Sequence, residues 1–189
     1  MTGIDVTERA QSLLGRLLHG HGVTVRITEV EAYGGVTDPA SHAYSRTPRS
    51  EIMFGQPWRL YIYRSYGIHH CANVVTGPTE QAAAVLLRAG AVVDGLETAR
   101  HRRGDGVPDD RLAQGPGNLA AALGLTLDDL GTELLAPDGV HLGPEVEPPA
   151  EVRTGPRVGV SRAADVPWRF WLAGEPSVSA YRRNPRAAS

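Results

Sequence analysis

The sequence predicts an α+β fold: one compact domain over residues 1–189, with a mainly antiparallel sheet and flanking helices. Two observations carry that prediction. Strand-like runs outnumber helix-like runs and are joined by short turn signals, without the alternation of strand and helix that marks a parallel sheet. No linker or internal repeat divides the 189 residues, whose 41% hydrophobic content suffices for one substantial core.

The elements follow in order. Val6, Ala10, Leu13, Leu14, Leu17 and Leu18 fall near helical spacing, with Asp5 or Thr7 as cap, and predict an amphipathic helix over 6–18 ended by Gly20 and Gly22. From Val23 to Tyr33 the period changes to two, which is a strand. Residues 34–57, rich in Gly, Pro, Ser and Asp and without periodicity, form a long irregular connection of the kind that often carries function. The runs Leu60–Tyr66, His69–Thr76 and Ala82–Ala89, punctuated by Tyr66-Gly67 and Gly77-Pro78, read as hairpin-connected antiparallel strands. Asp94 caps a helix reaching Arg103, Gly115-Pro116-Gly117 opens another over Asn118–Leu123, and Thr126 or Asp128 caps a further turn. The acidic, proline-rich stretch 136–156 reads as loop or weak edge structure. Arg157–Ser161 and Trp168–Ala173 return to strand character ahead of a basic tail expected to fray.

Composition narrows the chemistry. A single cysteine, Cys71, excludes an internal disulfide framework, and no clustered His and Cys ligands point to a metal. No apolar run approaches the roughly 20 residues that span a bilayer, and residues 1–20 lack a signal-peptide centre, so the expected location is cytoplasmic, with no membrane partner. Net charge is −2, which taken alone argues against a nucleic-acid partner. Its distribution argues otherwise. Residues 1–104 carry 11 Arg against 9 acids, 105–151 carry 1 against 10, and 152–189 carry 7 against 2. An acidic segment, placed away from any phosphate-binding face, masks basic ones around Arg46 to Arg64, Arg100 to Arg103 and Arg182 to Arg186.

The first strand holds an anomaly. Its apolar face of Val23, Val25 and Ile27 continues at the same parity into Glu29, Glu31 and Tyr33. Spacing permits two readings: the strand end leaves the core and both carboxylates meet water, or one carboxylate is held on a cleft floor as a general base. Five of the six tyrosines, Tyr33, Tyr44, Tyr61, Tyr63 and Tyr66, lie in or soon after that strand. Tyr61 and Tyr63 can be ordinary inward residues or aromatic plates for a base turned out of a duplex. Tyr66, at a hairpin tip, suits a wedge.

The strings Thr28-Glu29-Val30-Glu31-Ala32-Tyr33, Ala40-Ser41-His42, Thr47-Pro48-Arg49, Met53-Phe54, Leu60-Tyr61-Ile62-Tyr63, Tyr66-Gly67, Cys71-Ala72-Asn73, Ala84 to Ala89 and Gln114-Gly115-Pro116-Gly117 occur in this order. Together they resemble the alkyladenine (3-methyladenine) DNA glycosylase family, from the Leu13-Leu14-Gly15 segment to the Val178-Ser179 pair. The resemblance implies a monofunctional enzyme that hydrolyses damaged purines from double-stranded DNA without metal or organic cofactor, and the chain is expected to act as a monomer. It implies that Glu31 deprotonates a water which Arg88, and a backbone carbonyl near Val178, help to hold. Tyr33, His42 and Tyr63 would stack the flipped base, Tyr66 would intercalate, and Asn73 would crowd the exocyclic amino group of guanine.

Physical reasoning stands beside each assignment. A purine alkylated at N3 or N7 is cationic, so it leaves without a strong acid and is attracted to electron-rich rings. Water activated opposite the leaving group follows the logic of glycoside hydrolysis. Glu31 must stay ionised to act as a base, and Arg88 supplies the counter-charge that burial calls for. A neutral lesion would need a proton on its leaving group; the sequence shows no clear acid for this, and His42 is one option. Asn73 can equally be a strand residue satisfying backbone. Arg49, Arg59 and Arg64 suit phosphate contact, and a solvated face suits them as well. The chain departs from the family pattern at Pro57-Trp58, where Pro-Gly is usual, and at Ser50, where Asn is common. The rival readings are a non-catalytic reader of damaged DNA and a hydrolase of free nucleosides.

Overall fold

The computed structural model describes residues 5–146 and 151–187. Helix α1 (Val6–Ser12) starts where the Asp5 carboxylate accepts from the Thr7 N–H at 3.0 Å. It is shorter than the predicted 6–18. Gly15 adopts φ +83, a left-handed conformation that stops the helix, and Leu17 to Gly20 become strand β1 (Leu17–Gly20). A two-residue turn, His21-Gly22, with positive φ at both positions, then matches the twist of the paired strands and leads into β2 (Val23–Tyr33).

Residues 34–57 contain only short 3-10 turns, at Gly35–Thr37, His42–Tyr44 and Glu51–Phe54. Strands β3 (Leu60–Ser65) and β4 (His69–Val75) form the predicted hairpin, and β5 (Ala84–Asp94) runs past its predicted end at Ala89. Asp94 is therefore a ladder residue opposite Thr24 and caps no helix. Helix α2 (Leu96–Arg103) starts instead from Gly95, whose φ of +73 makes the sharp exit from the strand. After β6 (Ala113–Gln114), helix α3 (Pro116–Leu123) opens on a proline that has no N–H to leave unpaired, and a Thr126–Asp129 capping box closes the next turn.

Three short strands complete the chain: β7 (His141–Leu142), β8 (Val152–Gly155) and β9 (Arg169–Leu172). The strand expected at Arg157–Ser161 is absent, and β9 pairs with β8 just upstream of it. The cause is local, since the Val158 N–H and the Arg157 side chain are committed elsewhere, as described below. Of the acidic stretch 136–156, residues 147–150 lie outside the described residues. The start of the tail is pinned, not frayed. Ser177 is buried with its hydroxyl 2.8 Å from that of Thr28, and the Ser179 N–H donates to Glu29.

The sheet runs β3-β4-β5-β2-β1-β7, and β2 is its axis. One edge of β2 pairs with β5 from Thr24 to Tyr33. The other edge is shared, with β1 taking Val23 to Arg26 and β9 taking Glu29 to Glu31. One face packs Val25, Ile27, Val30, Ala32, Leu60, Ile62, Val74, Val85 and Leu87 against α1 and α3. The opposite face meets the 34–57 segment through a smaller cluster containing Ala43, Met53, Phe54 and Tyr61.

A pair of bulges decides what the second face carries. In the β2–β5 ladder Ile27 faces Gly90, Glu29 faces Ala89 and Val30 faces Leu87, so Thr28 on one strand and Arg88 on the other are left without a ladder partner. Each unpaired residue reverses the parity of its strand. Val23, Val25 and Ile27 point into the helix-covered core, and beyond the bulge Val30 and Ala32 do so. Glu31 and Tyr33 consequently leave the apolar face on which uninterrupted alternation put them and line a cavity on the other side.

Candidate active site

Four strands aim one row of side chains into that cavity. Tyr61 stands opposite Asn73, Asn73 opposite Leu86, and Leu86 opposite Glu31. Tyr33, Tyr63, Cys71 and Arg88 flank the row, and His42 and Arg49 close over it from the 34–57 segment. The cavity holds about 500 Å³, within the roughly 300–1,000 Å³ usual for small-ligand sites. Val158, Gly159 and Val160 form its far wall.

Glu31 is fully buried, and both oxygens are held. Oε1 accepts from the Val158 N–H at 2.7 Å and faces Arg88 Nη1 at 3.4 Å, and Oε2 accepts from the Tyr33 hydroxyl at 2.8 Å. Glu29, equally buried, anchors the other side of Arg88. It accepts from Arg88 Nε at 2.9 Å, Arg169 Nε at 2.6 Å, the Ser179 hydroxyl at 2.9 Å and the Ser179 N–H at 2.7 Å. Two carboxylates thus share two guanidiniums in a site shielded from water, an arrangement that can persist because every charge has a partner. Burial opposes the Arg88 charge, and the Glu31 and Glu29 carboxylates more than offset it, holding its pKa above the ordinary arginine value.

The aromatic groups form a connected set. His42 Nδ1 lies 3.0 Å from the Tyr61 hydroxyl, and its ring meets Tyr63 edge-on at 4.5 Å between centroids. The Arg49 guanidinium lies 4.8 Å from the Tyr63 ring centre. Burial, and then the Glu31 charge, push the Tyr33 pKa well above the ordinary phenol value, so its hydroxyl stays a donor. Part of His42 opens to solvent, yet the protein packed around the ring and the Arg49 charge push its pKa down to about 4. That shift favours the neutral imidazole at pH 7. The Asn73 amide is fixed by Nδ2 donating to the carbonyls of Tyr61 at 3.1 Å and Cys71 at 3.4 Å. Burial raises the Cys71 thiol pKa, consistent with an inert wall residue.

Of the residues singled out from sequence, Glu31, Arg88, Tyr33, His42, Tyr63, Asn73, Tyr66, Arg49 and Arg64 all line this cavity. Arg59 does not. It is tied to Glu133 at 3.3 Å, to Gln56 and to the Gly131 carbonyl, and so reaches the acidic segment. Arg46, paired with Glu51 and Glu80, and Arg100, paired with Asp109, are likewise neutralised within the chain. Apart from Pro116, no described residue of 105–151 lines the cavity. The Val178 carbonyl accepts from Gln114 at 3.0 Å and is no part of the wall, a place taken by Val158 to Val160.

Tyr66 protrudes at the cavity mouth. It is 92% exposed and left-handed at φ +51, and Ile68 beside it is also exposed. Both departures from the family pattern have local explanations. Trp58 sits at φ +64, a conformation that favours glycine, and its ring lies beneath the guanidiniums of Arg9 and Arg16. The Ser50 hydroxyl accepts from the Thr47 N–H at 2.9 Å and closes the loop that presents Arg49. Sequence reasoning did not assign roles to Glu29, Asp38, Arg157, Val158, Arg169 or Ser179. Only the parity of Glu29 and the Val178-Ser179 resemblance signalled any of them.

Among the described residues no group of three or more His, Cys, Asp or Glu is placed to hold a metal ion, and no helix is long and apolar enough to cross a membrane. Residues 1–176 match the family model described as methylpurine-DNA glycosylase. The chain is 55% identical to a protein of Mycolicibacterium paratuberculosis over 97% of its own length and 92% of that protein's. It is 54% identical to one of Mycobacterium tuberculosis over 97% and 93%, and 53% identical to one of Nocardia farcinica over 97% and 91%. All three carry the name 3-methyladenine DNA glycosylase as a provisional assignment. A match over most of the chain together with this identity establishes that it belongs to the methylpurine-DNA glycosylase family of DNA-repair enzymes.

Proposed function

We propose that this single-domain, monomeric chain acts in the cytoplasm on double-stranded DNA. It turns a damaged purine out of the helix into the cavity and hydrolyses the N-glycosidic bond with a water activated by Glu31. The observation that carries the reading is the fastening of Glu31. A carboxylate oxygen offers two lone-pair directions. Oε1 accepts from the Val158 N–H, with the Arg88 guanidinium beside it at 3.4 Å as counter-charge, and Oε2 accepts from the Tyr33 hydroxyl. Each oxygen thus keeps a direction that no donor among the described residues takes up, and that is the place for a water.

In the reaction Glu31 takes a proton from that water, whose oxygen bonds to C1′ of the deoxyribose as the C1′–N bond breaks. The bonding pair leaves with the purine. An N3- or N7-alkylated purine is cationic and departs neutral, so no acid is required, in keeping with the low pKa of His42. The products are a free base and an abasic sugar, and Glu31 then returns its proton to solvent. Tyr33, His42 and Tyr63 stack the base, Asn73 crowds a guanine amino group, Tyr66 fills the gap in the duplex, and Arg49 and Arg64 meet phosphate.

Glu31→Gln tests the mechanism. Base release from methylated duplex DNA should vanish while that DNA still binds. Release at the wild-type rate removes Glu31 as the base. Tight binding without release by the wild-type protein favours a non-catalytic reader.

A further inference from the structure

Arg157 is 1% exposed and is the largest of the fully buried side chains. Its guanidinium grips Asp38 with two bonds, at 2.5 and 2.9 Å, and Nη1 also donates to the Ala32 carbonyl at 3.0 Å. The same group lies 4.8 Å from the Tyr33 ring centre and 5.3 Å from that of Trp168. Its Nε is buried with no hydrogen-bond partner among the described residues. An ion pair this deep adds little net stability over an apolar replacement, because desolvation offsets the attraction, so stability alone is a poor account of it.

Its neighbours are more informative. Ala32 separates Glu31 from Tyr33, and Val158 is the next residue along from Arg157. The two groups that donate to Glu31 at 2.7–2.8 Å are the Val158 N–H and the Tyr33 hydroxyl. Arg157 touches one through its ring and carries the other on the adjoining peptide. Asp38, in turn, accepts from the Gly34 and Ala40 N–H groups, so the pair also clamps the start of the segment that leads to His42.

We propose that Arg157, held by Asp38, is a positioning residue for the Glu31 carboxylate. It fixes the Tyr33 ring and the Val158 N–H together, and through them both oxygens of the base. The proposal rests on the reading of Glu31 as the base. Lysine would keep the charge but lose the planar fork that meets Asp38, Ala32 and the Tyr33 face at once.

Single-turnover base release from methylated duplex DNA, binding of the same DNA, and thermal melting test it, in full-length Arg157→Lys, Asp38→Asn, Tyr33→Phe and the Tyr33→Phe combinations. Arg157→Lys and Asp38→Asn should each slow release about tenfold to a hundredfold, the range expected when a catalytic group is misplaced by an ångström or less. DNA binding should stay within about threefold, and each combination with Tyr33→Phe should be within about threefold of its slower parent, because both changes loosen the same carboxylate. Arg16→Lys is the control, a buried arginine that lies over Trp58 away from the cavity. It should lower the melting temperature and leave the release rate alone.

Wild-type rates in Arg157→Lys and Asp38→Asn overturn the proposal. So do losses that multiply with Tyr33→Phe, or an equal slowing in Arg16→Lys. If Arg157→Lys does not fold, the Asp38→Asn and Tyr33→Phe cycle decides alone. Glu31→Gln in the same series separates the two readings. Retained activity there removes the base and this proposal together, whereas an inactive Glu31→Gln beside a fully active Arg157→Lys removes only the proposal.

Discussion

The backbone N–H of Val158 donates to Oε1 of Glu31 across a sequence separation of 127 residues. The carboxylate at the centre of the site is therefore fastened by an irregular loop as well as by its own strand. Tyr33, two residues further along that strand, holds the other oxygen. Tyr33→Phe keeps the aromatic plate and removes this bond alone. Hydrogen bonds to charged groups contribute about 1.5–3 kcal/mol, so the variant should lose about 2 kcal/mol of stability in a denaturant titration. It should also release base about tenfold more slowly, with little change in DNA affinity.

Arg88→Ala should be far more damaging to the fold. It strips a partner from Glu29 and Glu31 at once, leaving buried carboxylates under-compensated. Removing one partner of a buried pair costs about 3–5 kcal/mol. Equilibrium unfolding should show a loss in that range, and a stability within about 1 kcal/mol of wild type would mean that the four-charge cluster is not coupled as its distances imply.

Tyr66 separates function from folding. Its side chain is almost wholly exposed, so Tyr66→Ala should change stability by no more than about 0.5 kcal/mol. Base release from duplex should nevertheless fall, and fall less on single-stranded methylated DNA, where no stack has to be filled. Equal losses on the two substrates would argue against a wedge.

His42 gives a pH signature with a definite sign. Its pKa is lowered from the ordinary 6.5 to about 4, so the folded protein favours the neutral ring. The associated stability is present in full above pH 6.5 and is lost as pH falls through about 4. Proton NMR of the ring should titrate near pH 4, and His42→Gln should flatten the stability profile between those limits. A His42 midpoint near 6.5 would restore it as a candidate proton donor.

Trp58 sets backbone strain against packing. At φ +64 any side chain is disfavoured by about 1–2 kcal/mol relative to glycine. Both Trp58→Gly and Trp58→Ala lose the ring that packs on the core and carries Arg9 and Arg16. The glycine variant should be the more stable of the two by about 1 kcal/mol, measured by thermal or urea unfolding.

Much of this was legible in the chain. Alternation from Val23 to Tyr33 and the turns after Tyr66 and Val75 declare a hairpin sheet, because strand period and turn chemistry are local properties. Glu31, Tyr33, His42, Tyr63 and Arg88 could be named together from the strings around them. Local periodicity misled where two elements use the same letters. Leu17 and Leu18 suit a helix or a strand equally, and Gly15 decided between them. Strand parity also misled at Glu29 and Glu31, since no sequence rule announces that Thr28 and Arg88 will bulge. Only the tertiary structure decided what holds Glu31. The donors to Glu31 and Glu29 include Val158, Arg169 and Ser179, far along the chain, and Arg157 reaches Asp38 across most of it. The sequence by itself determined which chemical groups exist and the pattern of the sheet. Their pairing was decided by the paired bulges and the crossing of distant loops, because the pairing of buried charges depends on distance in space and carries no periodic mark in sequence.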